Sequence, residues 1–403
     1  TSLMQKRVLI IDSGLGVPLA IAKARELGYS PIVFSEHTEA PHLQAADDVR
    51  KGECLDPAEM SNVLRECRVD GVFLPFSDAA LPTAFAAEKC GLPSIGSAAA
   101  ALMQFKRTGF AVLSKRGLPA GNLFYAVTET QARDAASKLG LPLWIAADES
   151  CTRNVIVQLE HMEDIPLAFS RAVRKSILKA VVLMRPIQGA AYYVDGSVID
   201  GVFRASGVIS HDSGEAPFFF DRTSSAEPSL SVQERNSIEN CASDALSAFE
   251  CRDGAAHVDV RMTDDGPVVM DVFVTPAALR FPADLIHMSR GIDTIANALS
   301  IAVADTPQLE APAKRGAVLH WIPTHSGVIT EVRGLEEARA IPGIERIVVG
   351  VKPGDPMRHI VDCESRDRVG YVLASGEDLP AAERAAKEAL NVLEIVTKPA
   401  YSQ

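Results

Sequence analysis

The chain has 403 residues, of which 47% are hydrophobic and 23% charged, and its formal net charge is −12. This length indicates two to four structural units, and the composition is typical of a globular protein. The acidic balance argues against a nucleic-acid partner, and no apolar run reaches the roughly 18–20 residues of a membrane-spanning helix, so no membrane partner is expected.

Seven cysteines are scattered along the chain, and none has the paired spacing typical of a zinc site. Their odd number favours reduced thiols. The first residues have no apolar stretch of the length typical of a signal peptide. Together these observations predict a cytoplasmic protein.

Strands alternate with helices over the first part of the chain, which predicts a parallel α/β domain with ligands at the carboxyl ends of its strands. One helix begins after Asp56, which can cap it, with Pro57 at the first helical position and Glu59 three residues after the cap. The other predicted elements are strands at 7–12, 31–36 and 71–76 and helices at 17–28 and 80–92.

The turn after the first strand carries part of the glycine pattern of dinucleotide-binding sites. Gly14 and Gly16 fit the first two glycines of G-x-G-x-x-G, but Leu19 occupies the place of the third. A tight strand-to-helix turn therefore explains these glycines better than phosphate binding does.

The central part of the chain opens with a helix predicted over 98–117. A second helix, over 128–140, begins with Thr128 and Gln131 at the spacing of a capping box. An irregular pattern follows, to about residue 230. The remaining predicted elements are an amphipathic helix over 230–250, a hairpin over 255–274 with an Asp-Asp-Gly turn, and, after residue 311, several strands and a final helix.

Several stretches together resemble the ATP-grasp superfamily, in its branch of L-amino-acid ligases and carbamoyl-phosphate-synthetase-like proteins. The most specific stretches are 327–355 and 365–376, and weaker ones include 105–120 and 256–272. The resemblance implies an α/β fold that is α+β in its central part. The implied domains are an N-terminal Rossmann-like domain (1–97), a central ATP-grasp domain (98–310, with a small lid at about 118–190 and a larger part at about 191–310), and a strand-rich α+β C-terminal domain (311–403).

The resemblance also implies a reaction. In this superfamily ATP phosphorylates a carboxylate to an acyl phosphate, and an amine then displaces the phosphate to form an amide or peptide bond. Such phosphoryl transfer depends on positioning and on neutralisation of charge, which magnesium ions and basic side chains supply. ATP and magnesium are therefore the expected cofactors if the protein is active.

The nucleotide site implied by the resemblance is incomplete in this sequence. Lys106 matches the first ATP lysine of the family, but the second lysine aligns with Ala146, which has no charge to offer a phosphate. The glycine-rich loop aligns with 148–154, where Asp148 and Glu149 are expected to repel a triphosphate and Arg153 to offset them in part.

The ribose-binding acids of the family are also missing. Their segment keeps Gly189 but has Met184, Arg185 and Ala191 at the positions of the acids. The predicted nucleotide-binding residues are therefore basic ones: Lys106, Arg153 and Arg185. No carboxylate in this segment is left to hold the ribose hydroxyls.

The metal site implied by the resemblance is half retained. Asp259 and Asp271 match the two metal carboxylates, but the asparagine ligand that follows them is absent, and two short carboxylates supply few of the six ligands that magnesium prefers. Arg280 is the predicted catalytic residue, in place of the family arginine near the γ-phosphate or the substrate.

A further stretch, 214–228, matches the region that lies near the substrate carboxylate in related ligases. Arg222 is the predicted substrate residue because a guanidinium can hold a carboxylate bidentately. The neighbouring run Phe218–Phe220 is more typical of a plain buried strand than of a binding surface.

Three hypotheses follow. The first is a pseudoenzyme that binds a small molecule, amino acid or peptide without a cofactor, or that assists an active ligase. The second is an active carboxylate–amine ligase with a rebuilt nucleotide site, and the third is an enzyme whose substrate is not ATP. The resemblance further implies a homodimer.

Overall fold

The computed structural model describes residues 5–12, 16–75, 77–149, 156–274, 280–312 and 314–399. Within these ranges, no helix combines the length and the apolar character that crossing a membrane requires.

A four-stranded parallel sheet forms the N-terminal unit, with strand order β3-β2-β1-β4. The Asp56 carboxylate accepts hydrogen bonds from the amides of Ala58 and Glu59, so the predicted cap is confirmed. Gly16 has a φ of 87° at the start of the first helix, in keeping with a tight turn; residues 13–15, which include Gly14, lie outside the described ranges. The elements are β1 (Arg7–Ile11), α1 (Val17–Glu26), β2 (Ser30–Ser35), β3 (Asp48–Lys51), α2 (Pro57–Glu66), β4 (Gly71–Phe73), α3 (Ala80–Lys89) and α4 (Ser97–Gln104).

The single helix predicted over 98–117 is wrong, because two helices occupy this stretch. Helix α4 ends at Gln104, Phe105 is extended, and α5 (Lys106–Lys115) begins immediately after it. Phe105 forms a bridge to Glu149, and the amide of Lys106 donates to the carbonyl of Asp148 at 2.9 Å. These contacts with a segment some 40 residues away replace helical hydrogen bonds at the break, and the side chain of Lys106 is buried there.

A second sheet of five strands, in the order β11-β7-β6-β8-β5, packs against two helices, and we call this unit the lid. Thr128 accepts a hydrogen bond from the amide of Gln131 and caps the first of these helices, as predicted. The elements are β5 (Phe124–Ala126), α6 (Glu129–Leu139), β6 (Leu143–Ala147), β7 (Ile156–Leu159), α7 (Ile165–Lys175) and β8 (Val181–Met184), together with β11 from further along the chain.

The largest sheet has eight antiparallel strands in the order β14-β13-β9-β10-β12-β15-β19-β17, and a small sheet has the order β18-β16-β20. The predicted hairpin over 255–274 is confirmed as β13 and β14. The elements are β9 (Ala190–Ile199), β10 (Val202–Asp212), β11 (Phe218–Phe219), β12 (Thr223–Ala226), α8 (Val232–Ala248), β13 (Gly254–Thr263), β14 (Gly266–Phe273), α9 (Arg280–Arg290), α10 (Thr294–Ala302), β15 (Gly316–Trp321), β16 (Gly327–Arg333), α11 (Leu335–Arg339), β17 (Ile344–Val349), β18 (Pro356–Met357), α12 (Cys363–Val369), β19 (Gly370–Gly376), α13 (Leu379–Val392) and β20 (Glu394–Lys398).

The irregular pattern expected from 140 to about 230 is wrong, because this region contains most of the lid sheet and the centre of the large sheet. All five residues of β6 are buried, so this strand lacks the alternation of polar and apolar residues that identifies a half-exposed strand. The ladder between β12 and β15 also carries the large sheet across residue 311, where the sequence predicts a domain boundary.

Candidate functional site

A cavity of about 220 Å³ lies between the lid and the large sheet. Side chains that alternate along two lid strands form one wall, because every second residue of a strand points to the same face. These are Trp144 and Ala146 of β6 and Val182 and Met184 of β8. The opposite wall includes Phe273, Leu319 and Trp321, so most of the lining is apolar.

The first charged pair in the cavity joins α5 to the large sheet. The Lys106 ammonium donates to the Asp271 carboxylate, and the side chains are 7% and 12% exposed. Asp259 and Asp271 are directly opposite each other in the β13–β14 ladder, and both line the cavity. The break between α4 and α5 places Lys106 at this pair, since it lets the chain turn before the second helix begins.

A second polar group centres on His211, whose side chain is 2% exposed. Its Nδ1 lies 2.9 Å from Asp221 Oδ1, and its Nε2 lies 3.4 Å from Asp259 Oδ1. The Tyr193 hydroxyl donates to Asp221 Oδ2 at 2.8 Å, and the Tyr193 ring stacks on His211 with centroids 3.8 Å apart. Residues of β9, β10 and β13, together with the segment before β12, therefore meet at one point.

The ionisation of this group follows from its charges. Burial alone would lower the pKa of His211, but the carboxylates of Asp221 and Asp259 outweigh burial and raise that pKa to about 9. For Asp221, burial acts to raise the pKa, and the stronger combined influence of His211 and other neighbours lowers it. His211 is therefore an imidazolium held between two carboxylates at neutral pH.

A buried arginine completes the polar part of the cavity. Arg366 donates to the carbonyl of Asp221 at 2.8 Å, pairs with Asp367 at 2.9 Å, and lies 3.8 Å above the Trp321 ring. Burial raises the pKa of the neighbouring Cys363 thiol to about 11, so this cavity-lining sulfur is not a thiolate at neutral pH.

The residues present do not fit a magnesium ion. The carboxylate of Asp271 bonds to Lys106, and that of Asp259 lies against the imidazolium of His211. Within the described ranges, no group of three or more His, Cys, Asp or Glu side chains is arranged to hold a metal ion. Magnesium requires several oxygen ligands that are not already neutralised.

The structure brings three of the predicted site residues together and leaves the others apart. Lys106, Asp259 and Asp271 line the cavity. The exposed Arg185 donates to the carbonyl of Leu139 at 3.0 Å and lies in a different surface depression. The side chain of Arg222 is exposed and is not part of the cavity lining. Arg153 and the side chain of Arg280 lie outside the described residues.

Asp148 and Glu149, the two acids of the segment that aligns with the glycine-rich loop, have a structural role. Asp148 Oδ1 accepts from the amide of Arg107 in the first turn of α5, and Glu149 Oε1 accepts from the amide of Leu178. Both side chains are buried, and neither is among the residues that line the cavity. These carboxylates therefore hold β6 against α5 and the lid, instead of pointing into a phosphate site.

The run of three phenylalanines differs from the expectation of a plain buried strand. Phe218 packs in the lid core, but Phe219 and Phe220 line the cavity, and Phe219 lies edge-on to Trp144 at 5.4 Å. The reason is that β11 is an edge strand of the lid, so one of its faces points to the cavity instead of to the core.

Sequence reasoning missed the polar group around His211. Tyr193, His211 and Asp221 lie in the region that lacks a clear pattern, and no short motif joins them. One sequence feature that could have pointed to this polar group is Asp221, an acid directly after the run of phenylalanines. Another is Arg366, which lies within the stretch 365–376 that carries the family resemblance.

Comparisons with known proteins show what the chain is similar to. Residues 320–398 match the family model of the L-amino acid ligase C-terminal domain 2. The chain is 24% identical over 295 residues to the uncharacterized protein y4rH of Sinorhizobium fredii, an alignment that covers 72% of this chain and 60% of the relative. It is 28% identical over 207 residues to a D-alanine–D-alanine ligase of Mycobacterium tuberculosis, with 47% and 55% covered. The chain thus spans less than two thirds of either relative.

Solved structures show the same fold over nearly the whole chain. An L-amino acid ligase from Bacillus licheniformis superposes with a TM-score of 0.81 at 21% identity, covering 98% of this chain and 99% of the other. A carboxyaminoimidazole ribonucleotide synthase from Aspergillus clavatus, solved in complex with ATP, has a TM-score of 0.75 at 14% identity, with 96% and 98% covered. The predicted fold class is confirmed, and the C-terminal family match and the similar ligases support the predicted resemblance to the ATP-grasp superfamily.

Proposed function

We propose that this ATP-grasp protein binds a small molecule in the cavity between its lid and its large sheet, and that it does not catalyse ATP-dependent ligation. It is similar to carboxylate–amine ligases, and its cavity occupies the space between lid and large sheet. Its function on this proposal is binding, either as a sensor of the ligand or as an accessory to an active ligase.

One observation carries the proposal. Both carboxylates at the positions of the family metal ligands face cations that belong to the protein itself, Asp271 with Lys106 and Asp259 with His211. A magnesium ion would have to displace an ammonium and an imidazolium from buried positions. Because these cations are covalently part of the chain, they compete with magnesium at high local concentration.

The rest of the cavity supports the same function. Ala146 stands in an apolar wall where a phosphate lysine is expected, and Arg185 is turned outward. Removing one positioned electrostatic contact typically costs roughly 3–4 kcal/mol of transition-state stabilisation. Several such losses at one site remove most of the catalytic advantage, although they do not simply add.

An assay of ATP-dependent phosphate release tests the proposal directly. The purified protein is incubated with ATP, magnesium and mixed amino acids, and the variants Asp271→Ala and Ala146→Lys are assayed beside it. We expect no release above the protein-free background from any of the three. Robust release by the native protein that Asp271→Ala abolishes, while the exposed hairpin-turn variant Asp265→Ala retains it, would overturn the proposal.

The second candidate is an active ligase with a rebuilt nucleotide site that uses ATP and magnesium. The observation that favours it is the meeting of Lys106, Asp259 and Asp271 at one cavity, at positions that match the family site. Mass spectrometry of the same reactions distinguishes the two functions, since a ligase forms an amide-linked product together with phosphate. A small molecule that co-purifies with the protein would instead identify the ligand of a binding protein or of an enzyme that does not use ATP.

We also propose, on the resemblance alone, that the protein is a cytoplasmic homodimer and a partner of an active ligase. Light scattering coupled to gel filtration tests the dimer, which we expect at twice the chain mass. Addition of the protein to an active ligase of the same cell tests the partnership, which predicts a change in the rate of that ligase.

A further inference from the structure

Among the described residues that line the cavity, three buried polar atoms lack hydrogen-bond partners: His211 Nε2, Asp259 Oδ1 and Arg261 Nε. His211 Nε2 and Asp259 Oδ1 each have almost no exposed surface and no hydrogen bond, although they lie 3.4 Å apart as an ion pair. Both residues line the cavity. A buried polar group without a hydrogen bond is costly, so a pair of this kind marks a place where a ligand atom gains by binding.

The geometry of the pair specifies the ligand group. The Nδ1 of His211 bonds to Asp221, and Nε2, on the other side of the ring, faces a carboxylate oxygen of Asp259 at 3.4 Å and is therefore placed to donate. Asp259 supplies a carboxylate oxygen that only accepts. A hydroxyl group satisfies both, because its oxygen accepts from His211 Nε2 and its hydrogen is donated to Asp259 Oδ1.

Most of the charged side chains that line the cavity are paired within the protein, which favours a neutral ligand. Lys106 is paired with Asp271, His211 lies between two carboxylates, and Arg366 is paired with Asp367. Of the described lining residues, Arg261 also carries a guanidinium, which donates to the carbonyl of Gly189 and lies 5.6 Å from the Trp144 ring centroid. An added carboxylate would lie near the carboxylates of Asp221 and Asp259, which already flank His211.

The size and lining of the cavity favour a ring. An engineered apolar cavity of about 150 Å³ binds benzene, so a volume of 220 Å³ accommodates one ring with a short substituent. Aromatic side chains stand on several sides, including Trp144, Phe219, Phe273 and Trp321. They offer the edges and faces against which an aromatic ring packs.

We propose that the cavity binds a neutral aromatic alcohol or phenol, with its ring between the lid and the large sheet and its hydroxyl bridging His211 Nε2 and Asp259 Oδ1. This inference rests on the proposed small-molecule binding function and names the class of ligand. It predicts binding without ATP or magnesium.

Calorimetric titration with matched probes tests the inference. The probes are benzyl alcohol, toluene and benzoate, each titrated into the native protein and into the variants Asp259→Asn and Asp265→Asn. We expect benzyl alcohol to bind about tenfold more tightly than toluene, since a hydrogen bond to a charged group supplies that discrimination. The preference should fall several-fold in Asp259→Asn, which replaces the charged acceptor with a neutral one, and persist in Asp265→Asn, whose side chain lies in the exposed turn of the same hairpin.

A second variant keeps the test decisive if Asp259→Asn folds poorly. Ala146→Leu adds apolar atoms that extend from the lid wall into the cavity. It should lower the affinity of every probe that enters the cavity, while the thermal unfolding transition stays cooperative. Tighter binding of benzoate than of benzyl alcohol, or equal binding of benzyl alcohol and toluene, would overturn the hydroxyl bridge. So would an unchanged affinity for benzyl alcohol in Ala146→Leu.

A parallel titration separates this inference from the proposed function. A non-hydrolysable ATP analogue with magnesium is titrated into the same native sample. Micromolar binding of the analogue, with displacement of benzyl alcohol, overturns the proposed function and this inference with it. No binding of the analogue together with no preference for the hydroxyl overturns the ligand class alone.

Discussion

The ammonium of Lys106 bonds to the carboxylate of Asp271, and the two residues are 165 positions apart in the chain. Lys106 starts α5, and Asp271 lies in β14, so the pair ties the helix after the N-terminal unit to the large sheet. Both side chains are almost fully buried. The resemblance implies a metal ion beside Asp271, and the structure has the ammonium of Lys106 there.

Lys106→Met tests how much the fold depends on this pair. The substitution keeps the aliphatic stem but leaves the Asp271 carboxylate buried without its cation. Breaking a buried ion pair from one side typically costs about 3–5 kcal/mol in the free energy of unfolding. Urea denaturation followed by circular dichroism measures this loss.

The matched control is Lys115→Met, an exposed lysine at the end of the same helix, which should change the free energy of unfolding by about 0.5 kcal/mol or less. In the double variant Lys106→Met/Asp271→Asn, the loss should be smaller than the sum of the single losses, because no buried charge is left unpaired. Strict additivity would mean that the pair contributes nothing specific.

Gly189→Ala tests why this glycine is retained where the neighbouring acids are not. Gly189 has a φ of +140°, and an added Cβ would lie 2.0 Å from the carbonyl oxygen of Met262. The backbone of β13 passes so close that the substitution should cost about 1–3 kcal/mol of stability or more. Gly266 in the same sheet also has a positive φ, but its added Cβ meets nothing within 4 Å, so Gly266→Ala should cost less in the same denaturation experiment.

The sequence predicts those features of the fold that depend on residues close together in the chain. The cap at Asp56, the helix start at Thr128 and the turn between β13 and β14 depend on neighbouring residues, and the structure has all three. The break at Phe105 could not be predicted, because it depends on contacts with Asp148 and Glu149 some 40 residues away. Strands buried on both faces, such as β6, also lack a periodic signal.

The candidate site also has residues that the sequence predicted and residues that it did not. The resemblance led to Lys106, Asp259 and Asp271, which do meet in the cavity. It gave no indication that Asp259 faces His211, since that contact depends on the pairing of β9 with β10 and β13. Arg222 was predicted from its charge, but the side chain that points inward at this place is its neighbour Asp221, as alternation along an extended chain requires.

Alkylation of the cysteines should be slow in the native protein. Burial raises the pKa of Cys363 to about 11 and those of Cys241 and Cys251 to about 12. At pH 8 these thiols are therefore almost entirely protonated, and only the thiolate reacts. Peptide mass spectrometry after treatment with iodoacetamide should show labelling at these three sites at least about a hundredfold slower than in urea. Labelling of Cys363 at its unfolded rate would contradict the buried environment described for it.

The pair between Glu383 and His320 makes a pH-dependent contribution to stability. Glu383 on α13 accepts from His320 Nε2 at 3.0 Å and from the Ser225 hydroxyl at 3.1 Å, and so joins the helix to two strands of the large sheet. The hydrogen bond from His320 is the main reason that the pKa of Glu383 falls below its ordinary value of 4.5, against the opposing influence of burial. An acid whose pKa is lowered by folding stabilises the protein fully above its unfolded pKa, and that stabilisation is lost as the pH falls through the folded pKa.

Glu383→Gln keeps the size of the side chain and removes its charge. We expect the variant to be about 1 kcal/mol less stable than the native protein at pH 7, because charge-assisted hydrogen bonds are stronger than neutral ones. The difference should persist down to about pH 4.5 and shrink below it, once the native carboxyl group is protonated. Urea denaturation at several pH values measures the difference, with the exposed Glu388→Gln on the same helix as the control. A difference that stays constant through pH 3 would mean that the charge of Glu383 does not contribute to the joint between α13 and the sheet.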